Sequence, residues 1–187
     1  MVVQVNEGLL SNYLKKIRFN TAIRYCEGKI LDFGCGDGSF CENFMVENYN
    51  GYEPDYQSFE LAKKKFPKNS FFNDLNSINQ KFDSIVLLAL IEHVDSPHDF
   101  LINLSNRFVK NSNSKIIITT PNKYLDFFHH LGASLGLFSS HAADEHNVMF
   151  NKKDLFKLAK ETNHRVINYK KFLFFANQII VLSKIEK

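Results

Sequence analysis

The chain has 187 residues, with 23 basic and 20 acidic side chains, an apolar fraction of 44% and a pI of about 8.6. This length suits a single domain, 1–187, with a sizeable core, and the near balance of charge argues against a dedicated nucleic-acid-binding domain. The three cysteines are too few and too irregularly spaced for a disulfide framework or a zinc site, and no apolar run is long enough to span a membrane. We therefore expect a reduced, cytoplasmic protein without a signal peptide.

Short apolar strands alternate with helices along the chain, which is the order typical of an α/β fold. A helical cap over residues 1–27 precedes the first strand, and residues 121–150 form a long irregular connection near the end. The predicted helices are 9–26, 39–47, 56–65, 97–109 and 152–161, and the predicted strands are 30–33, 50–53, 70–73, 82–89, 115–120, 165–174 and 178–185. The last two strands read as an antiparallel hairpin.

The most informative pattern is a glycine turn that directly follows the first strand. Gly34, Gly36 and Gly38 alternate with other residues, and Asp32 stands two positions before the first of them. Glycine lacks a Cβ and tolerates positive φ, so such a turn lets backbone approach a ligand closely. The spacing misses the third glycine of the dinucleotide fingerprint, and the nearby carboxylate favours a cationic ligand over a pyrophosphate. An ordinary turn without a ligand is the alternative.

This glycine turn resembles the first motif of class I S-adenosylmethionine-dependent methyltransferases. Glu53 ends the second strand 19 residues after Gly34, a position from which a carboxylate can accept hydrogen bonds from both ribose hydroxyls. Residues 51–55 resemble the second motif of that family, and residues 92–97 resemble its segment after the fourth strand. The resemblance implies a Rossmann-like three-layer sandwich with a seven-stranded, mostly parallel sheet whose last strand is antiparallel.

The resemblance also implies which residues hold the cofactor, S-adenosyl-L-methionine, and its product S-adenosyl-L-homocysteine. Asp74 would face the adenine amine and Leu75 would lend a backbone N–H, with a turn aspartate as the alternative for Asp74. Arg18 could reach the carboxylate of the methionine part, with an exposed helix residue as the alternative. The full set of expected cofactor-binding residues is Arg18, Asp32, Gly34, Cys35, Gly36, Gly38, Glu53, Pro54, Asp74, Leu75, Ala89 and Leu90.

Two histidines are candidate catalytic bases, because either could titrate near neutral pH. His93 follows the fourth strand, and His146 precedes the last helix. The alternatives are a hydrogen bond across the turn for His93 and anchoring of the insertion for His146. The run from His141 to His146 has a spacing that matches no familiar metal site, so no metal is expected.

The leading functional hypothesis is a methyltransferase that acts on an O, N or C atom of a small-molecule acceptor. The alternatives are an RNA or protein methyltransferase and a non-catalytic cofactor-binding module. Residues 119–122 are not an Asn-Pro-Pro-Tyr-like motif, and no nucleic-acid partner is expected. Residues 121–150 exceed the usual connection length and are predicted to form a substrate-side lid or wall, with a dimer contact as the alternative. We expect a monomer or a homodimer.

Overall fold

The computed structural model describes residues 9–123 and 149–186, and all structural statements below concern these residues. The helices are α1 (Leu9–Ile23), α2 (Tyr56–Lys65), α3 (Pro97–Phe108) and α4 (Lys152–Glu161). The strands are β1 (Ile30–Phe33), β2 (Tyr49–Tyr52), β3 (Ser70–Phe72), β4 (Ser84–Leu88), β5 (Lys115–Pro121), β6 (His164–Phe172) and β7 (Asn177–Lys184). Short 3₁₀ helices span Ser39–Asn43, Val46–Asn48, Leu75–Ser77 and Ile91–His93.

The strands form one sheet in the order β3-β2-β1-β4-β5-β7-β6. β1 pairs in parallel with β2 and β4, and Asp32 lies between Gly51 and Val86 in this register. β7 is antiparallel to both of its neighbours, β5 and β6. The prediction of a seven-stranded, mostly parallel sheet with an antiparallel last strand is therefore confirmed.

Helices cover both faces of the sheet, which makes three layers. Successive strand residues point to opposite faces. In β5, for example, Ile116 and Ile118 join the core that α3 and α4 cover, whereas Ile117 joins the core beneath α1. The central strands carry apolar side chains on both faces, as expected of a parallel sheet buried on both sides.

Local signals in the sequence set the helix starts. Asp55 caps α2 by accepting from the Ser58 backbone N–H at 2.8 Å. Asn151 and Asp154 form a reciprocal capping box at the start of α4. Ser96 precedes α3 as predicted, but its hydroxyl donates to the Asp99 carboxylate at 2.8 Å instead of capping a backbone N–H.

The predicted helix over residues 39–47 is wrong. Two short 3₁₀ helices stand there instead, separated by Phe44, whose backbone is extended with φ −135°. The side chain of Asn43 donates to the carbonyl of Phe40 at 2.9 Å, a local bond that competes with helix continuation. The Phe44 ring packs against Phe40 and Tyr49, with ring centroids 5.0 and 6.1 Å away. This packing fixes the break in the helix.

Other element boundaries differ from the predictions by at most three residues, and the largest difference is at α1, which ends at Ile23 and not at residue 26. β4 ends at Leu88 because Ala89 takes a left-handed φ of 53°. β6 ends at Phe172 because residues 173–175 are also left-handed. Among the residues that the structure describes, no helix is both long and apolar enough to cross a membrane.

Candidate active site

The candidate site lies at the carboxyl ends of β1, β2 and β4. β1 sits between β2 and β4 in the sheet, so the chain leaves β1 toward one side and returns on the other for β4. Ligands of open α/β sheets bind in the crevice at such a reversal of strand order. The glycine turn follows β1, Glu53 follows β2, and Ala89 follows β4. The sheet therefore brings together three parts of the predicted site.

The three glycines of the turn all have positive φ, between 55° and 80°, but they differ in what surrounds them. A Cβ on Gly34 would lie 3.0 Å from Leu90, and a Cβ on Gly38 would lie 2.7 Å from the Phe71 ring. A Cβ on Gly36 would meet nothing within 4 Å. Close packing of the protein thus explains the first and last glycines, and only Gly36 adjoins open space that a ligand could enter.

Glu53 fastens the glycine turn to the end of β2. The backbone N–H of Gly36 donates to Glu53 Oε2 at 2.8 Å, and the N–H of Asp55 donates to Oε1 at 3.0 Å. Each carboxylate oxygen thus has one N–H donor and keeps the capacity to accept another hydrogen bond. The half-buried carboxylate is therefore fixed in place and can still accept from a hydroxyl of a ligand. Pro54, which lies between Glu53 and Asp55 in the chain, is exposed.

Asp37, between Gly36 and Gly38, links the turn to two helices. Its carboxylate accepts from Lys15 on α1 at 2.8 Å and from Lys65 on α2 at 2.9 Å. Burial opposes its ionisation, but hydrogen bonds from Lys15, Ser39 and Lys65 hold the pKa of Asp37 well below its ordinary value. The middle of the turn is thus held by ionic contacts on both sides.

Asp32 lies beneath the turn and only 2% of its surface is exposed. The hydroxyl of Tyr49 donates to its Oδ2 at 2.7 Å, whereas its Oδ1 has no partner among the described residues. Burial raises the pKa of Asp32 to about 7, against the effect of the Tyr49 hydrogen bond. Cys35 is also buried, and burial raises the pKa of its thiol. Asp32 can act on a ligand through its charge, but its side chain is not at the surface of the crevice.

The end of β4 carries backbone strain next to the glycine turn. Ala89 has a φ of 53°, which is uncommon for a residue with a Cβ, and its N–H donates to the Thr119 carbonyl at 2.9 Å. Half-buried Leu90 packs against Gly34. Strained backbone of this kind persists where the surrounding structure requires it, often at ligand sites.

Buried Glu92 and Thr120 lie on the other side of β4, together with half-buried Arg18 of α1, whose Nε is buried. Glu92 is 0% exposed, and both of its carboxylate oxygens lack a hydrogen-bond partner among the described residues. The same holds for Nε of Arg18 and Oγ1 of Thr120. Burial raises the pKa of Glu92, although its own backbone N–H, the neighbouring Thr120 hydroxyl and the charge of Arg18 act in the opposite direction. Burial also lowers the pKa of Arg18, against the attraction of Glu92. Arg18 is therefore no exposed helix residue.

Glu92 is a candidate functional residue that the sequence interpretation missed. It belongs to residues 92–97, the segment that resembles the family, in which the sequence pattern points to the neighbouring His93. The available signal was an acidic residue just after a buried central strand, at the carboxyl edge where ligands bind. Buried ionisable groups with shifted pKa values are concentrated at functional sites, which makes Glu92 a stronger candidate than its sequence position alone suggested.

Asp74 and Leu75 form a braced turn after β3. Asp74 is exposed, and its Oδ1 accepts from the Asn76 N–H at 2.9 Å. Arg107 of α3 donates to the Leu75 carbonyl at 2.7 Å. Asp74 therefore stabilises a turn, which was the alternative interpretation of this residue. Its contact with an adenine stays a prediction.

His93 is exposed in the 3₁₀ turn Ile91–His93, and its N–H donates to the Leu90 carbonyl at 3.0 Å. His146, the cluster between His141 and His146, and most of the 121–150 insertion lie outside the described residues. The catalytic role of His146 and the lid therefore stay predictions. Within residues 9–123 and 149–186, no group of three or more His, Cys, Asp or Glu side chains is arranged to hold a metal ion.

The fold and the glycine-turn site define a Rossmann-like nucleotide-binding protein of the methyltransferase type. A family model described as "Methyltransferase domain" matches residues 7–169, and the chain belongs to that family. The sequence-based prediction of a class I S-adenosylmethionine-dependent methyltransferase is thereby confirmed.

Two curated relatives are O-methyltransferases of ubiquinone biosynthesis. The mitochondrial protein of Schizosaccharomyces pombe is 27% identical over 109 residues, covering 52% of this chain and 39% of that protein. The protein of Pelagibacter ubique is 31% identical over 106 residues, covering 52% of this chain and 43% of that protein. The matched part thus spans about two-fifths of the length of these relatives.

Solved structures of low sequence identity share the fold. Magnesium protoporphyrin IX methyltransferase from Synechocystis PCC 6803, with bound S-adenosylhomocysteine, has a TM-score of 0.70 and 15% identity over 99% of this chain and 90% of that one. The methyltransferase domain of a bacterial Hen1 has a TM-score of 0.68 and 20% identity over 91% and 98%. At these identities the likeness supports the fold and not the acceptor.

Proposed function

We propose that this chain transfers a methyl group from S-adenosylmethionine to an oxygen atom of a small-molecule acceptor. The observation that carries the proposal is the bond from the Gly36 N–H to Glu53 at the one glycine of the turn that adjoins open space. A nucleoside laid against Gly36 would place its ribose hydroxyls beside a carboxylate that is already oriented. The names of the curated relatives support oxygen as the acceptor atom.

The remaining residues fit the other parts of this donor. Arg18 offers a half-buried cationic group whose Nε lacks a partner among the described residues, which suits the carboxylate of the methionine part. Asp32 and Glu92 add negative charge behind the crevice, which suits the amine and the sulfonium. When bound, the sulfonium supplies an already activated methyl group.

The protein's main catalytic task is to place the acceptor in line behind that methyl group. Holding two reactants in the correct geometry can contribute about 7–11 kcal/mol. A hydroxyl acceptor must also lose a proton, and we assign that role to His93 because it is exposed at the same edge of the sheet, after Leu90. A cytoplasmic location and a monomeric or dimeric state stay predictions.

The test is a transfer assay with methyl-labelled S-adenosylmethionine and a panel of phenols, amines, carboxylic acids and short RNAs. We expect label on a phenolic oxygen. His93→Gln should lower turnover most strongly in the pH range where the imidazole is neutral and the acceptor hydroxyl is still protonated, and should leave donor affinity unchanged. His98→Gln is the matched control, because His98 is exposed on α3 and pairs with Asp99.

Two outcomes would overturn the proposal. Label that appears on RNA and on no small molecule would make the chain a nucleic-acid methyltransferase. Tight donor binding with no labelled product from any acceptor class would favour a non-catalytic binding module.

A further inference from the structure

The β6–β7 hairpin ends in an exposed apolar turn that takes no part in the site described above. We call residues 173–175 the hairpin apex; they are Leu173, Phe174 and Phe175. Phe174 is 97% exposed and Phe175 is 64% exposed. A single exposed apolar side chain is ordinary, but two adjacent phenylalanines at the tip of a hairpin leave a protruding apolar surface.

The apex is held in an unfavourable conformation. Its three residues have φ values of 52°, 51° and 70°, a left-handed conformation that is strained for residues with a Cβ. Hydrogen bonds maintain this shape. The Ala176 N–H donates to the Leu173 carbonyl at 2.9 Å, and the Asn122 side chain donates to the Phe175 carbonyl at 2.9 Å. Strain that the surrounding structure maintains is typical of functional segments.

The apex stands at the same edge of the sheet as the candidate active site. β7 starts beside the end of β5, where Asn177 pairs with Pro121, and the N–H of Asn122 donates to the Ala176 carbonyl at 2.8 Å. The carboxyl end of β5 and the apex are therefore neighbours. Any surface that contacts the apex would also face this edge.

The hairpin and the helix before it are strongly basic. Residues 152–184 contain eight basic and two acidic side chains, whereas the rest of the chain contains 15 basic and 18 acidic ones. No acidic residue occurs between Glu161 and Glu186. Lys170 on β6 and Lys123 just after Asn122 are both exposed near the apex. A segment of one charge sign points to a partner of the opposite sign.

We propose that the hairpin apex inserts into the surface of an anionic lipid bilayer. Phe174 and Phe175 enter the boundary between headgroups and acyl chains, and Lys123 and Lys170, set back from the tip, contact lipid phosphates. This docking needs no methyl transfer, and it presents the carboxyl edge of the sheet to the membrane.

The shape of the apex favours lipid over other anionic partners. Single-stranded nucleic acid binds in basic grooves whose aromatic side chains stack on the bases, whereas Phe174 stands on a convex tip. A stable protein interface buries about 800 Å² on each partner, more than two phenyl rings offer. A protruding apolar tip with cations behind it matches the depth profile of an anionic membrane surface.

Sedimentation of the full chain with lipid vesicles tests the proposal. We expect binding to phosphatidylcholine vesicles that contain about 30% phosphatidylglycerol and weak binding to phosphatidylcholine alone. The double variant Phe174→Ser with Phe175→Ser should lower the partition coefficient by about tenfold or more. Leu61→Ser is the matched control, because Leu61 is 52% exposed on α2 and lies far along the chain from the apex. Melting curves should show that both variants stay folded.

A second pair of variants tests the charge contribution. Lys123→Gln with Lys170→Gln should weaken binding to anionic vesicles by about tenfold, and added salt should reduce that difference. Lys64→Gln with Lys68→Gln removes two exposed charges from the α2 side and should change binding by less than about twofold.

Three results would overturn the proposal. The wild-type chain could stay in solution with either vesicle type. The Leu61 variant could lose binding as strongly as the apex variant, which would indicate nonspecific adhesion. The apex variant could bind vesicles normally but have lost self-association or RNA binding, which would assign the apex to that partner instead.

Discussion

The two halves of the candidate site differ in how completely the protein satisfies their polar groups. On the β1–β2 side, Glu53 and Asp37 accept from backbone N–H groups or from lysines, so the glycine turn is held in the absence of any ligand. On the β4–β5 side, Arg18, Glu92 and Thr120 all bury polar atoms that have no hydrogen-bond partner among the described residues, whereas on the β1–β2 side of the site this is true only of Oδ1 of Asp32. Buried polar groups without partners cost free energy, so they are rare in native structures.

This difference suggests a division of labour between the halves. The β1–β2 half is a finished surface against which a nucleoside can dock without rearrangement, which lowers the cost of binding. In the β4–β5 half, the buried polar atoms gain hydrogen-bond or ionic partners only when a charged ligand binds. Substitutions in the first half should therefore change affinity through shape, and those in the second half through charge.

The largest expected effect is at Gly36. A valine there would introduce a branched side chain into the open space and strain a φ of 55°. Gly36→Val should weaken S-adenosylmethionine binding more than about 100-fold, with the chain still folded. Titration calorimetry with S-adenosylmethionine, S-adenosylhomocysteine and NAD measures this, and the wild-type chain should bind the first two but not NAD. Unchanged affinity in the variant would show that the turn does not touch the ligand.

The second prediction tests whether the β4–β5 half recognises ligand charge. Arg18→Met combined with Glu92→Gln removes both buried charges, which avoids leaving either one alone. This variant should lose about 1.5–3 kcal/mol of affinity for S-adenosylmethionine, the range for a hydrogen bond to a charged group. For decarboxylated S-adenosylmethionine, which lacks the carboxylate but keeps the amine and the sulfonium, the loss should be smaller. Equal losses for both ligands would show that Arg18 does not contact the carboxylate.

The third prediction concerns the oriented carboxylate of Glu53. Glu53→Ala should lower cofactor affinity by about 1–3 kcal/mol, because it removes the ribose acceptor and the partner of the Gly36 N–H. Asp74→Ala serves as a comparison and should lower cofactor affinity by less than about 1 kcal/mol, since a backbone N–H from Leu75 would still help to hold the adenine. Calorimetry under the same conditions decides the order. A larger loss at Asp74 would move the main nucleoside contact to the β3 turn.

The last prediction concerns stability and not ligand affinity, and it is a pH dependence that arises from Asp32. Its pKa is about 7 in the folded chain and near 3.9 when unfolded, so between these pH values the folded state binds more protons. The contribution of Asp32 to stability is therefore fully present below about pH 4 and is lost as pH rises toward 7, by at most about 1.4 kcal/mol per pH unit.

Urea unfolding of the wild type and Asp32→Asn at pH 5, 6, 7 and 8 measures this slope. Glu92 shifts in the same direction, but it is present in both proteins and cancels in their difference. The wild type should lose stability relative to the variant up to about pH 7 and then level off. A difference that does not change with pH would mean that Asp32 is ionised throughout.

The sequence predicted the parts of this site that depend on short-range patterns. Glycines at 34, 36 and 38 and an acidic end to β2 are visible within a few residues, and the apolar runs set the order of the strands. The Asp37 contacts could not be predicted, because Lys15 and Lys65 are 22 and 28 residues away and no periodicity marks them.

Features that depend on burial could not be predicted from the sequence either. The amino-acid sequence does not show that Glu92 is buried or that Arg18 lies near it, because both features arise only when α1 packs over the sheet. The break at Phe44 is similar, since aromatic packing against Tyr49 overrides a helix-like sequence. Asp37, Glu92 and Phe44 are each positioned by residues distant in sequence.

A crystal structure of the chain with S-adenosylhomocysteine tests the central claim most directly. We predict the ribose hydroxyls within hydrogen-bond distance of Glu53, the backbone of Gly36 in van der Waals contact with the ligand, and the ligand carboxylate at Arg18. A ligand bound away from the carboxyl ends of β1 and β2, with Glu53 still bonded only to Gly36 and Asp55, would contradict the account.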